Sequence, residues 1–182
     1  RDYRLELSQS EQQAPLLNIY GGKITTYRKL SEAAVDKLKR IFPNLAPSWT
    51  EKAALPGGDF QTREQLFNEL VGSYPWLPAS LLNRFVTTYG TRTHMILQGC
   101  ESLADLGVNL GAGLYQKELC YLVKFEFARE LDDVIWRRTK LGLQLSKEQQ
   151  NEIARSIREQ IGESESCPNK YLKTDYSDKY CA

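Results

Sequence analysis

Apolar and polar residues alternate where the chain begins, with Tyr3, Leu5 and Leu7 separated by Arg4 and Glu6, the period of a strand with one covered face. Ser8 to Gln13 are polar. Leu16, Leu17, Ile19 and Tyr20 then predict a second, mostly buried strand running antiparallel to the first. From Thr25 the period changes to three and four: Tyr27, Leu30, Ala34, Leu38 and Ile41 share one face and Lys29, Glu32, Asp36 and Lys39 the other. That spacing predicts a helix from about Thr25 to about Ile41, ended by Pro43 and Pro47. Residues 44–58 read as a connection enclosing a strand-like Lys52-Ala53-Ala54-Leu55.

Beyond the connection the pattern is helical. Thr62 and Gln65 form a capping box for a helix through Leu70 and Val71, and Pro75 and Pro78 stop it. Two short helices, 80–89 and 91–98, flank Gly90, and Glu101 to Leu106 adds a turn. Residues 114–131 read as a second long helix, with Leu119, Leu122, Val123, Phe125 and Phe127 covering more than one face and marking it for the core. A short segment runs from Leu131 through Trp136, and Ser146 with Gln149 caps a last helix carrying Ile153, Ile157 and Ile161. Residues 163–182 carry too little apolar area to offset the entropy of ordering, so a flexible polar tail is expected. The fold class expected is mainly α: a helical domain preceded by a short β-hairpin and a first helix.

Charge and composition narrow the function by exclusion. Lys and Arg total 24 against 23 Asp and Glu, a net charge of +1, which gives no basic footprint for nucleic acid. No apolar run approaches the roughly 20 residues that span a bilayer. Cys100, Cys120, Cys167 and Cys181 show no Cys-x-x-Cys spacing and there is one histidine, so no metal site is expected and the thiols are expected to be reduced and unpaired. His94 lacks a partner constellation in the sequence and is assigned a structural or surface role rather than that of a general base.

The stretch Gly21-Gly22-Lys23-Ile24-Thr25-Thr26-Tyr27-Arg28 holds the candidate chemistry. It reads as a strand, a tight turn and a helix start: the glycines admit backbone angles denied to other residues, the threonine hydroxyls are expected to cap, and the helix end with Lys23 favours an anionic or electron-rich ligand atom. A phosphate-cradling P-loop is excluded, because Ile24 follows the Lys and Leu17 stands five residues before Gly22. A plain turn with a solvated Lys23 is the reading that the pattern alone favours. Trp136-Arg137-Arg138 could likewise serve as an anion site, but helix-end cations beside a core tryptophan are the favoured reading.

Gly21 to Leu30 resembles the motif that closes the flavin domain of FAD-dependent glycerol-3-phosphate dehydrogenases, respiratory enzymes that pass electrons to quinone. Arg1-Asp2-Tyr3 upstream, Pro56-Gly57-Gly58, and Asp133 to Gly142 resemble further motifs of that family, the last of them the mark of its helical C-terminal domain. The resemblance implies oxidation of sn-glycerol 3-phosphate to dihydroxyacetone phosphate with reduction of FAD. It implies Lys23 as the catalytic residue, Arg1 and Lys23 at the substrate, and Gly21, Gly22, Lys23, Thr25 and Thr26 at the cofactor, with the catalytic base outside this chain. It further implies quinone as electron acceptor, peripheral attachment to the cytoplasmic face of the inner membrane, and a homodimer as one candidate assembly. Residues 1–45 are then expected to be the edge of the flavin and substrate domain, 46–59 a connection, 60–162 the helical domain and 163–182 the tail. No Gly-x-Gly-x-x-Gly occurs; Gly111-Ala112-Gly113 is the nearest approach, and Leu114-Tyr115-Gln116 breaks it. The chain is therefore expected to be a C-terminal piece of such an enzyme, inactive and unable to hold FAD alone. The alternative is a non-catalytic helical module for dimerisation or docking.

Overall fold

The computed structural model describes residues 3–10 and 12–164. Arg1 and nearly all of the predicted tail lie outside them. The chain divides into two compact units between Leu55 and Pro56.

In the first unit β1 (Arg4–Ser10) pairs antiparallel with β2 (Gln13–Tyr20), Leu5 opposite Ile19 and Leu7 opposite Leu17, so four aliphatic side chains share one face. The pairing agrees with the alternation, but the expected burial does not: Leu16, Ile19 and Tyr20 are 58%, 50% and 51% exposed. The reason is architectural, since among the described residues the sheet has two strands, and the following helix leans on β2. That helix, α1 (Tyr27–Leu38), is shorter than its apolar spacing predicts. A 3₁₀ turn, Ile24–Thr26, replaces its start, and the amides of Ile41 and Phe42 close back onto the Leu38 carbonyl at 2.9 Å each to end it. Ala34 is the one buried residue among those described here. Lys52 to Leu55 form turns and coil rather than a strand, there being no described neighbour to pair with.

The second unit is mainly helical. Its helices are α2 (Arg63–Ser73), α3 (Ala79–Tyr89), α4 (Thr93–Leu97), α5 (Gln116–Phe125) and α6 (Lys147–Ser164). At Thr62 one half of the predicted box forms, its hydroxyl accepting the Gln65 amide at 3.1 Å, and the Ser146–Gln149 box closes in both directions at 2.9 and 3.3 Å. Leu70, Phe85, Ile96, Leu119, Leu122 and Ile153, drawn from all five helices, are fully buried in one core.

The predicted long helix 114–131 is corrected: α5 ends at Phe125, and Phe127 stands at φ +55° with 75% of its surface exposed. The Leu122 carbonyl accepts the amides of both Glu126 and Ala128, which turns the chain and buries Ala128 at the cost of Phe127. Asp133 then draws the Arg129 and Glu130 amides onto its carboxylate at 2.9 and 3.0 Å, starting a fresh turn. That turn is π-helical over Asp133–Arg138, and the Thr139 amide and hydroxyl both meet the Val134 carbonyl, at 3.1 and 2.7 Å. Among the described residues no helix is long and apolar enough to cross a membrane.

Two features fix the corner between α3 and α4. Gly57 and Gly90 cross so closely, at φ +86° and +56°, that a Cβ on Gly90 would lie 1.9 Å from the Gly57 carbonyl oxygen, which itself accepts the Thr91 amide at 3.1 Å. Beside them Glu118, with no exposed surface, takes two 2.6 Å bonds from the Arg84 guanidinium and a third from the Tyr89 hydroxyl.

Candidate functional site

The turn at Gly21-Gly22-Lys23 is built as its residue types require. Gly21 and Gly22 adopt φ +74° and +109°, which favour glycine, and a Cβ on Gly22 would press on Leu30 at 3.0 Å. Lys23 follows in extended conformation, and its carbonyl receives the Thr26 amide at 3.0 Å and the Thr26 hydroxyl at 3.1 Å. The expectation that the threonine pair caps the helix is thereby corrected: Thr26 precedes α1 but its hydroxyl is spent on the turn, and no side-chain cap bond forms. Thr26 is a brace for Lys23. Gly21 through Thr26 are all exposed, Ile24 at 89%.

Arg28 is not free to reach a ligand from this turn. Its guanidinium meets Glu32 at 2.5 Å, and the Thr50 hydroxyl donates to the same carboxylate oxygen at 2.7 Å. The Thr50 and Ser48 hydroxyls, more than the charge of Arg28, hold the Glu32 carboxyl below the usual range. Glu32 reads in the sequence as solvent-facing; the clasp to Thr50, 18 residues away, leaves no trace in a helical period. The structure thus brings Gly21, Gly22, Lys23, Thr25 and Thr26 together on one exposed turn, while Arg1 lies outside the described residues.

The other candidates take structural roles. His94 Nδ1 lies 3.3 Å from the Tyr74 hydroxyl and its ring packs beside Tyr74, in keeping with the structural reading. Arg138 donates twice to the Glu126 carbonyl, at 2.8 and 3.2 Å, so it closes the end of α5, and Arg137 meets Asp133 at 2.8 Å. Trp136 is corrected from core filler to a surface ring, 40% exposed and lying so close over Gly142 that a Cβ there would sit 2.6 Å from the indole. A Cβ on Gly111 would press on Gln149 in the first turn of α6 and on Leu145 just before it, so that glycine is given over to packing. Among the described residues no cluster suits a metal ion, and Cys100 and Cys120 form no disulfide; Cys167 and Cys181 lie outside the described residues.

The helical unit has its match among known proteins. The model of a family described as the C-terminal domain of alpha-glycerophosphate oxidase covers residues 48–166. The chain belongs to that family. Glycerol-3-phosphate dehydrogenase of Pseudomonas aeruginosa is 50% identical over 151 residues, which cover 82% of this chain and 30% of that protein. Aerobic glycerol-3-phosphate dehydrogenase of Escherichia coli is 40% identical over 155 residues, 85% of this chain and 31% of that protein. D-erythritol 1-phosphate dehydrogenase of Brucella abortus is 40% identical over 149 residues, with 81% and 30% covered. The chain therefore spans less than a third of the length of these relatives.

Proposed function

We propose that this chain forms part of an FAD-dependent enzyme that oxidises sn-glycerol 3-phosphate to dihydroxyacetone phosphate and passes the electrons to quinone, at the cytoplasmic face of a membrane to which it binds peripherally. The observation that carries the reading is 40–50% identity to proteins named glycerol-3-phosphate dehydrogenase. The turn's chemistry suits one edge of a flavin site: a strip of backbone bare of side chains at Gly21 and Gly22, then a primary ammonium at Lys23. Bound FAD would supply the acceptor for a hydride from the secondary alcohol carbon.

The chain's own contribution is electrostatic and positional. Lys23 offers a point charge where negative charge develops during reduction, and Thr26 holds that charge in place through the Lys23 carbonyl. Thr25 adds a hydroxyl on the same exposed turn. Arg1 is assigned to the substrate phosphate, which a planar guanidinium can grip through two parallel bonds.

The test is to purify the enzyme containing this chain, measure its FAD content, and follow quinone reduction with sn-glycerol 3-phosphate. A protein without flavin, or one that leaves glycerol 3-phosphate untouched, sinks the proposal. A second reading, oxidation of a longer polyol phosphate, is favoured by the relative named D-erythritol 1-phosphate dehydrogenase. Running both substrates at equal concentration decides between them by the ratio of kcat/KM.

A further inference from the structure

Lys117 and Cys100 are buried together, 8% and 7% exposed. The Lys117 ammonium donates to the Gln98 carbonyl at 2.6 Å and to the Cys100 sulfur at 3.0 Å. A lysine is buried at a cost unless its charge is answered, and an acidic partner is the usual answer. Here the answers within hydrogen-bond reach are a carbonyl and a thiol. Asp105, an acid that feels its charge, is held chiefly by the Ser102 hydroxyl and by the Glu101 and Ser102 amides, with Lys117 the last of its influences. Both partners are fixed. Lys117 lies in the first turn of α5, and Cys100 closes a tight turn in which its amide meets the Leu97 carbonyl at 3.0 Å, with Gly99 at φ +70°.

We propose that this pair is an oxidative cross-linking site, in which hydrogen peroxide converts Cys100 and Lys117 to an oxygen-bridged Sγ–O–Nζ link. The two heavy atoms stand 3.0 Å apart in hydrogen-bond contact, so a single bridging oxygen can span them with little movement of either chain segment. In the first step the Cys100 sulfur attacks one peroxide oxygen; the S–O bond forms, the O–O bond breaks, water leaves and sulfur is oxidised by two electrons to the sulfenic acid. Lys117, having passed its ammonium proton to solvent, attacks a second peroxide in the same way, giving an N–OH group and another water. That hydroxylamine oxygen then attacks the sulfenic sulfur and expels its hydroxyl as a third water. The sum is Cys–SH + Lys–NH₂ + 2 H₂O₂ → Cys–S–O–NH–Lys + 3 H₂O. The link would fasten the turn after α4 to the head of α5 without disturbing the core that both already line, and thiol reductants would undo it.

The test treats the full chain with hydrogen peroxide, folded and in denaturant, and maps tryptic peptides by tandem mass spectrometry. The expected product is a single peptide, residues 93–124, left uncleaved at Lys117 and closed internally between Cys100 and Lys117; it gains about 14 Da through one oxygen added and two hydrogens lost, and reverts with dithiothreitol. It should form in the folded chain alone, because it depends on the 3.0 Å approach. Lys117→Arg should abolish the link and leave a Cys100 sulfenic acid that dimedone traps. Should that variant fail to fold, the comparison of folded and denatured wild-type chain carries the test. Oxidation of Cys100 to sulfinic acid with Lys117 unmodified overturns the proposal. So does a direct S–N link, which loses about 2 Da, or equal cross-linking in denaturant.

Discussion

Lys23 carries its charge on a turn whose own hydrogen bonds are already closed, so replacing its side chain should leave the fold alone and report on chemistry. In the intact enzyme Lys23→Ala is expected to lower the flavin reduction potential and slow reduction by an amount worth about 1–3 kcal/mol, the scale of a hydrogen bond to a charged group. Lys23→Arg should recover part of the loss. A redox titration beside single-turnover reduction reads both, and a variant changed only in substrate affinity would make Lys23 a phosphate ligand instead. Arg84 is the opposite case, since it neutralises a carboxylate with no access to water. Arg84→Ala should cost about 3–5 kcal/mol in urea denaturation, the scale for stripping one partner from a buried ion pair. Tyr121 supplies a pH prediction. Burial first, then its bond to the Glu126 carboxylate, against the opposing pull of Arg92, pushes its hydroxyl up to about 12. Above the ordinary tyrosine range the unfolded chain loses that proton and the folded chain keeps it, so stability present at neutral pH should fall as pH rises towards 12. Tyr121→Phe should flatten that alkaline limb, and urea midpoints measured across it are the check.

At the scale of elements, what could be read from the residues was whatever depends on near neighbours in sequence. The caps at Thr62 and Ser146, the alternation of β1 and the helical period of α2, α3 and α6 all act over three or four positions, and all formed. The end of α5 was not legible, because apolar spacing continues through Phe127 while the chain turns to bury Ala128 instead. Nor was the exposure of β2, which depends on what lies above the ribbon and not on its own Leu16, Leu17 and Ile19. In the candidate site the glycine angles were legible and the use of the Thr26 hydroxyl was not, since a helix cap and a brace on Lys23 ask for the same residue. The corner at Gly90 offers the sharpest element-level prediction. Gly90→Ala would set a methyl group within 1.9 Å of the Gly57 oxygen at a positive φ, and is expected to cost about 3 kcal/mol or more. Gly72→Ala at an exposed position of α2, which meets nothing within 4 Å, should be neutral or slightly stabilising, and thermal melts of both variants read the contrast.

For the whole molecule, the two units differ in how much they bury, and their opening should differ accordingly. Buried residues from all five of its helices make one core in the second unit, whereas Ala34 alone is buried among the described residues of the first. Hydrogen exchange should therefore run orders of magnitude faster at β1 and β2 than at α5 under native conditions, and equal protection would contradict this division. Titration of the chain with FAD is expected to show no saturable site, because one exposed turn cannot enclose a dinucleotide and no Gly-x-Gly-x-x-Gly is present. The close crossing of Gly57 and Gly90 bears on how the chain can be cut. A protease needs some ten residues of backbone to peel away into its cleft, and from Gly57 onward the backbone is pinned by the Thr91 amide. Upstream, Phe42, Trp49 and Leu55 stand exposed on a stretch that offers aromatic and aliphatic side chains to such an enzyme. Chymotrypsin should cut after Trp49, because Phe42 and Leu55 each precede a proline and resist it, and should leave the helical unit whole, so that the place where two strands of backbone touch marks where the frayed end begins to hold.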